Sequence, residues 1–228
     1  MIRTTICLLF VGLHVAFAAD PKPATSEAEI KELVNQLVSP NSKPITGDED
    51  KSVAPDYRLP LGFDQAKQRL VATARVELAG IGTAAFPFLI EKWDDDRHCM
   101  TMFHRLSEYS RNCTVGKVCR KTIFDQLQPY SIWPRTDDDP RGKPKRPSYP
   151  AVHLSSKKEA MKWWEENKDK SLFQIQLEIL DWIIAEEAKR PEDYTDDERD
   201  FLSGIRAELL RRGKPMSNGN YDWMEPEL

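Results

Sequence analysis

The chain has 228 residues and a net charge of -4, with 40% hydrophobic and 31% charged residues. That length fits one domain with tails, and that composition belongs to a globular chain able to bury a core without metals or a disulfide scaffold. The mild acidity excludes the basic surface on which nucleic-acid binding depends.

Residues 1–19 read as a signal peptide. Arg3 supplies the positive start, Ile6 to Phe17 is an apolar run broken only by Gly12 and His14, and Ala16-Phe17-Ala18 is a small-x-small cleavage site. The run is shorter than the roughly 20 residues a bilayer span needs, and no later segment reads as a membrane span. The expectation is export to the periplasm or extracellular space, with a mature chain that begins at Ala19 or Asp20. Cys7 leaves with the signal, so Cys99, Cys113 and Cys119 remain of the four cysteines. In an oxidising compartment three cysteines permit one disulfide and one thiol.

A single α-helical domain is expected over residues 20–213, followed by a polar tail, 214–228. Ser26 and Glu29 form a capping box for the first helix, whose apolar stripe is Ile30, Leu33, Val34, Leu37 and Val38. Pro40 stops it, and residues 41–62 read as a long loop. Asp64 caps a second helix to about Ala79, with Ala66, Leu70, Ala74 and Leu78 four apart and Val71 beside them. Gly80 suits a C′ position. Thr83 caps a third helix, Ala84 to Trp93, which tolerates Pro87 in its first turn.

The stretch Glu77 to Arg97 resembles one HEAT-type repeat of the bacterial PBS-lyase-like kind. Gly80 and Gly82 match the turn, Ala85 and Pro87 the start of the second helix, Leu89 and Ile90 its aliphatic pair, and Asp94 to Asp96 with Arg97 the acidic turn. Counted from Asp64, about one repeat is covered, and no second copy stands at a fixed period. The resemblance implies local helix pairing and an interaction surface without catalytic residues.

Residues 97–113 read as an irregular excursion. Thr114 caps the next helix, with Val115, Val118, Cys119, Thr122, Ile123 and Leu127 on its apolar face, ended by Pro129. Residues 130–154 form another long loop with Pro134, Pro140, Pro144, Pro147 and Pro150, and its length makes it a candidate functional surface. Three more capping boxes follow: Ser156 with Glu159, Ser171 with Gln174, and Thr195 with Glu198. The helix after Ser171 is apolar nearly all round, so Ile179, Trp182 and Ile183 are expected among the most buried residues. The last helix uses Phe201, Leu202, Ile205, Leu209 and Leu210 and closes on Arg211-Arg212-Gly213. The class is all-α, a bundle or short superhelix of about seven helices with HEAT-like pairs.

Several constellations could carry chemistry. His98, Cys99, His104, Cys113 and Cys119 include zinc-ligand types, and Asp96 with its acidic neighbours adds carboxylates, so a metal-assisted hydrolase around Asp94 to His104 is one reading. The spacing matches no finger or knuckle, Cys119 lies on an apolar helix face, and an acidic run is ordinarily a solvated turn. Asp137 to Asp139 stand beside basic residues that can pair with them. There is no G-x-S-x-G, H-E-x-x-H or P-loop, and His153 beside Ser155 and Ser156 is unspecific because Ser156 serves as a cap. Six tryptophans invite a glycan-binding reading. Trp163 and Trp164 diverge by about 100° on a helix, so one faces the core and the other covers a neighbouring edge. Trp133, Tyr130 and Tyr149 are left as platforms or as anchors of the loop. Asn112-Cys113-Thr114 is formally a glycosylation sequon.

The expected disulfide is Cys99–Cys113, because these two flank the excursion. Cys113 and Cys119 lie across a helix start, too far apart for the roughly 4.4–6.8 Å Cα separation a disulfide spans. Three reduced thiols are the alternative. The functional expectation is a non-catalytic exported module that binds or scaffolds an extracytoplasmic protein. No cofactor or nucleic acid is implied, and Tyr130, Trp133, Tyr149, Arg141 and Lys145 form the candidate binding surface.

Overall fold

The helices begin where their capping residues stand. Ser26 accepts from the Glu29 N–H at 3.3 Å, and the Glu29 carboxylate accepts from the Ser26 N–H at 2.7 Å. From that box α1 runs Glu27–Gln36 and buries Ile30 and Val34, with Leu37 beyond its end. The computed structural model describes residues 25–46, 59–104, 109–129, 149, 154–191 and 196–216. The segment 1–19 and Thr195 with its box lie outside them.

The next two helices differ from the expected pair. Asp64 caps α2, Gln65–Ile81, which passes through a 3-10 turn, Gly82–Ala85, into α3, Phe86–Glu91. The described residues therefore form six helical runs rather than about seven, one of them 27 residues long, Gln65–Glu91. Gly80 lies inside α2, and the positive φ of 78° falls at Gly82, where a side chain would be strained. Thr83 does not cap α3, whose start has no side-chain cap, although Pro87 sits in its first turn as expected. The apolar stripe of α2 is also rotated. Ala66 and Leu70 are exposed, and Gln68, Val71, Ala74, Arg75 and Leu78 are buried. The cause is what α2 meets: it packs on α1 and α4, and α3 packs on α4 and α5. By length and composition alone the Gln65–Glu91 run could cross a membrane. Here its Val71, Leu78, Phe86, Leu89 and Ile90 join the core.

The expected excursion over 97–113 is a hairpin. Strands β1, His98–His104, and β2, Tyr109–Thr114, pair antiparallel, with Phe103 opposite Ser110 and Met100 opposite Cys113. The register slips between His98 and Met100, a β-bulge in which Cys99 and Met100 together oppose Cys113. All three are buried. Two adjacent residues turned to one face erase the alternation by which a strand is read from sequence. The fold is thus mostly helical, as an all-α reading expects, with one two-stranded sheet added.

Thr114 closes β2 and caps α4, Val115–Leu127, accepting from the Lys117 N–H. Its buried face is the expected one with Gly116 and Gln126 added. Ser156 caps α5, Lys157–Asn167, but the Glu159 carboxylate turns to the Ser155 N–H and hydroxyl, both at 2.9 Å, instead of closing the box on Ser156. Both Trp163 and Trp164 are buried, not one. Phe86 of α3 lies against both rings, with centroids at 6.4 and 5.6 Å, so the two indoles share one neighbour.

The Ser171–Gln174 box closes both ways and opens α6, Leu172–Ala188. Ile179 and Ile183 are buried as expected, but Trp182 is half-buried and packs edge-on against Tyr149. The reason is that α6 meets α4 on one side and α7, Asp196–Arg212, on another, which leaves the Trp182 position at the margin. In α7, Leu202 and Leu209 are buried and Leu210 is exposed. Gly213 takes φ 62° just past its end, as the C′ reading requires.

Candidate functional site

The acidic turn after α3 was the candidate for metal-assisted chemistry. Its central carboxylate is already engaged. Asp95 accepts from Arg97 Nε at 3.0 Å, from Nη2 at 2.6 Å and from the Arg97 N–H at 3.2 Å. The guanidinium holds the Asp95 carboxyl below its ordinary range. The Asp95 carbonyl accepts the Gly116 N–H and the Arg97 carbonyl accepts the Val115 N–H, both at 2.9 Å. With Thr114 Oγ1 on the Lys117 N–H, these bonds satisfy the first donors of α4, which a helix cannot pair internally. Asp94 and Asp96 are exposed on either side. The turn is a socket for a helix end.

The zinc-type residues are dispersed by the hairpin. His98 and His104 stand at opposite ends of β1, about 20 Å apart along an extended strand. Cys99 and Cys113 face inward at the bulge, and Cys119 is wholly buried on α4. Burial, with the Asp95 charge adding to it, pushes the Cys119 thiol up to about 12, so it behaves as a small apolar group. Among the described residues no group of three or more His, Cys, Asp and Glu side chains is placed to hold a metal ion. The sequon is likewise built in: Asn112 Nδ2 donates to the Pro44 carbonyl at 2.7 Å, its Oδ1 accepts from Thr101 Oγ1 at 2.8 Å, and Thr114 is the α4 cap. Asn112 thereby ties the segment after α1 to the hairpin. Ser155 and Ser156 are both engaged with Glu159, and His153 lies outside the described residues.

Of the candidate binding residues, Tyr130, Trp133, Arg141 and Lys145 lie outside the described residues, as do Asp137 to Asp139. Tyr149 is described. Its ring meets Trp182 at 5.6 Å with an interplanar angle of 84°, and burial raises its hydroxyl pKa. This ring anchors its segment to α6.

The polar residues that do converge are ones the sequence reading passed over. Gln68 accepts from Ser39 Oγ at 2.7 Å and from Asn41 Nδ2 at 3.2 Å, and its Nε2 donates to the Cys99 carbonyl at 2.9 Å. One amide thus joins the end of α1, α2 and the bulge of β1. At the far end of α4, Gln176 Nε2 donates to the Gln126 carbonyl at 2.6 Å and to the Met216 carbonyl at 2.8 Å, and its Oε1 accepts from the Met216 N–H at 3.0 Å. Gln176 is wholly buried. Beside it Arg75 Nη2 lies 3.7 Å from Asp125 Oδ2, and Lys121 Nζ lies 2.7 Å from Asp125 Oδ1. Gln176 gives no distinct sequence signal, because Gln174 and Glu178 flank it at the same two-residue spacing. Gln68 and Arg75 carry none either, because α2 is of mixed polarity all round.

No protein-family model, no curated protein and no solved structure matches the chain.

Proposed function

We propose that the protein is a non-catalytic module that binds or scaffolds another protein, acting outside the cytoplasm after removal of residues 1–19. The observation that carries this reading is the employment of the reactive side chains. Asp95, Thr114, Ser155 and Ser156 are each engaged in a local turn or helix cap, Asn112 ties the segment after α1 to the hairpin, and Cys113 and Cys119 are buried. A hydrolase needs a nucleophile or metal beside an accessible base, and the described residues bring no such set together.

The HEAT-like resemblance of Glu77 to Arg97 supports the same reading, since repeats of that kind serve as interaction surfaces. The partner surface we assign is the segment whose sequence contains Tyr130, Trp133, Arg141 and Lys145, because Tyr, Trp and Arg are residue types enriched at protein interfaces. The test is affinity purification of the tagged chain from the extracytoplasmic fraction of its native host. The expected result is one protein recovered in stoichiometric amount and lost with Trp133→Ala or Arg141→Glu. Stoichiometric zinc or calcium in the purified chain would overturn the reading in favour of a metal-assisted enzyme. Retention on a glycan array that Trp133→Ala abolishes would overturn it in favour of carbohydrate recognition.

A further inference from the structure

The hairpin juxtaposes two thiols in a way that the bulge makes possible. Met100 pairs with Cys113, and the slip between His98 and Met100 sets Cys99 beside Met100 against the same partner. In the ladder continued from Met100↔Cys113, Cys99 would stand opposite Thr114 and point away from Cys113. The bulge instead turns both Cys99 and Met100 inward, and both are buried with Cys113. The residue paired with Cys113 is Met100, and facing Cα atoms stand about 4.5–5.5 Å apart; Cys99 is the next residue along β1, and a disulfide spans roughly 4.4–6.8 Å between Cα atoms. In this structure no disulfide joins the two.

We propose that Cys99 and Cys113 form a cross-strand disulfide that staples the hairpin at its bulge, made by thiol–disulfide exchange with an external disulfide, and that Cys119 stays a thiol. One thiolate of the pair attacks the external disulfide, forming a mixed disulfide and releasing one external thiolate. The second thiolate attacks the protein sulfur of that mixed disulfide and releases the other. The two protein thiols lose two protons and two electrons, and the external disulfide takes them up as two thiols. Exchange needs thiolate and access. Burial pushes the Cys113 thiol above its ordinary range and shields both sulfurs, so the bond forms as the hairpin closes and before it docks on α2 and α4. Cys119 lies on the buried face of α4, and its own burial keeps it protonated.

The staple sits at a structural joint. The Cys99 carbonyl accepts from Gln68 of α2, and Cys113 immediately precedes the Thr114 cap of α4. Crosslinking the two strands there fixes the relative placement of α2 and α4.

The full chain carrying Cys7→Ser, denatured, reduced and refolded in a mixture of reduced and oxidised glutathione, tests this. Peptide mapping after alkylation should return a Cys99–Cys113 linked peptide, lighter by two hydrogens than its reduced parts, and Cys119 alkylated only when the chain is unfolded. The oxidised chain should unfold at a higher urea concentration than the same chain kept in dithiothreitol, and Cys113→Ser should abolish that difference. A Cys99–Cys119 or Cys113–Cys119 peptide, or three alkylated thiols after refolding, would overturn the proposal.

Discussion

The two ends of α4 are held by opposite means. At its start the helix is hydrogen-bonded to the turn after α3 through backbone groups: the Arg97 and Asp95 carbonyls receive the Val115 and Gly116 N–H groups. A Cβ built on Gly116 would stand 2.3 Å from the Trp93 carbonyl oxygen, so contact at this distance exists only because that position lacks a side chain. At its far end the helix is held by side chains. Gln176 reaches the Gln126 carbonyl and residue 216, and Arg75 faces Asp125. A backbone joint admits no substitution at its glycine, whereas a side-chain joint fails by degrees, according to which polar group loses its partner.

That contrast is broken most severely at Gly116. Gly116→Ala pushes a methyl group into a carbonyl that cannot retreat without moving the end of α3. A loss of about 3 kcal/mol in urea titration is expected, at the upper end of what overpacking costs. An unchanged midpoint would show that the turn and α4 are not in contact. Gln176→Ala comes next. It strands the Gln126 carbonyl and frees residue 216, and a buried polar group without its partner costs about 1–3 kcal/mol, so a loss of about 2 kcal/mol in thermal unfolding is expected. Amide exchange should also quicken at Met216 while it holds at Gly116.

Asp125→Asn removes the counter-charge from the buried Arg75 but keeps the shape. Because Lys121 and solvent share that carboxylate, chemical denaturation should register about 1 kcal/mol, the upper end for a solvent-screened ion pair. The smallest effect belongs to Asp95, and it is pH-dependent. Arg97 lowers the Asp95 pKa from its ordinary value of 3.8. The charged form therefore adds stability that is complete above pH 3.8 and is lost as pH falls through the depressed folded value. Asp95→Asn should therefore lower stability slightly at neutral pH, flatten the acid limb of a stability–pH profile, and converge with the parent chain once Asp95 is protonated below pH 3.8. An identical acid limb would mean that the Arg97 fork is not formed in solution.

The helix ends were legible before the fold was known. Ser26 with Glu29 and Ser171 with Gln174 close their boxes, Asp64 and Thr114 cap, and Gly213 turns left-handed. Each depends on residues within one turn of each other. The hairpin was not legible, because the bulge at Cys99 sets two buried residues in succession and removes the alternation. The face of α2 departs from its sequence pattern for a related reason. Its Ala66, Leu70, Ala74, Leu78 row looks apolar, but α1 and α4 lie over the row that contains Gln68 and Arg75. Their hydrogen bonds and ion contact allow polar side chains to be buried where a purely apolar pattern would place none. For the candidate site, the residue types that suggested metal or acid–base chemistry were visible, but their spatial grouping was not. A strand separates His98 from His104, and Arg97 occupies Asp95.

By itself the sequence determined much of what short-range geometry governs: the caps at Ser26, Asp64, Thr114, Ser156 and Ser171 and the stop at Gly213, though not the passage of α2 into α3 through Gly80 to Thr83. The tertiary structure alone decided which face of α2 is inside, that residues 98–114 pair as strands, that Gly116 is irreplaceable, and that Gln176 reads the backbone of Met216. The division has one physical cause. Caps and propensities are satisfied by neighbours along the chain. The burial of an amide, a guanidinium or a glycine contact is satisfied only by partners brought from distant positions, and no local pattern specifies which partner arrives.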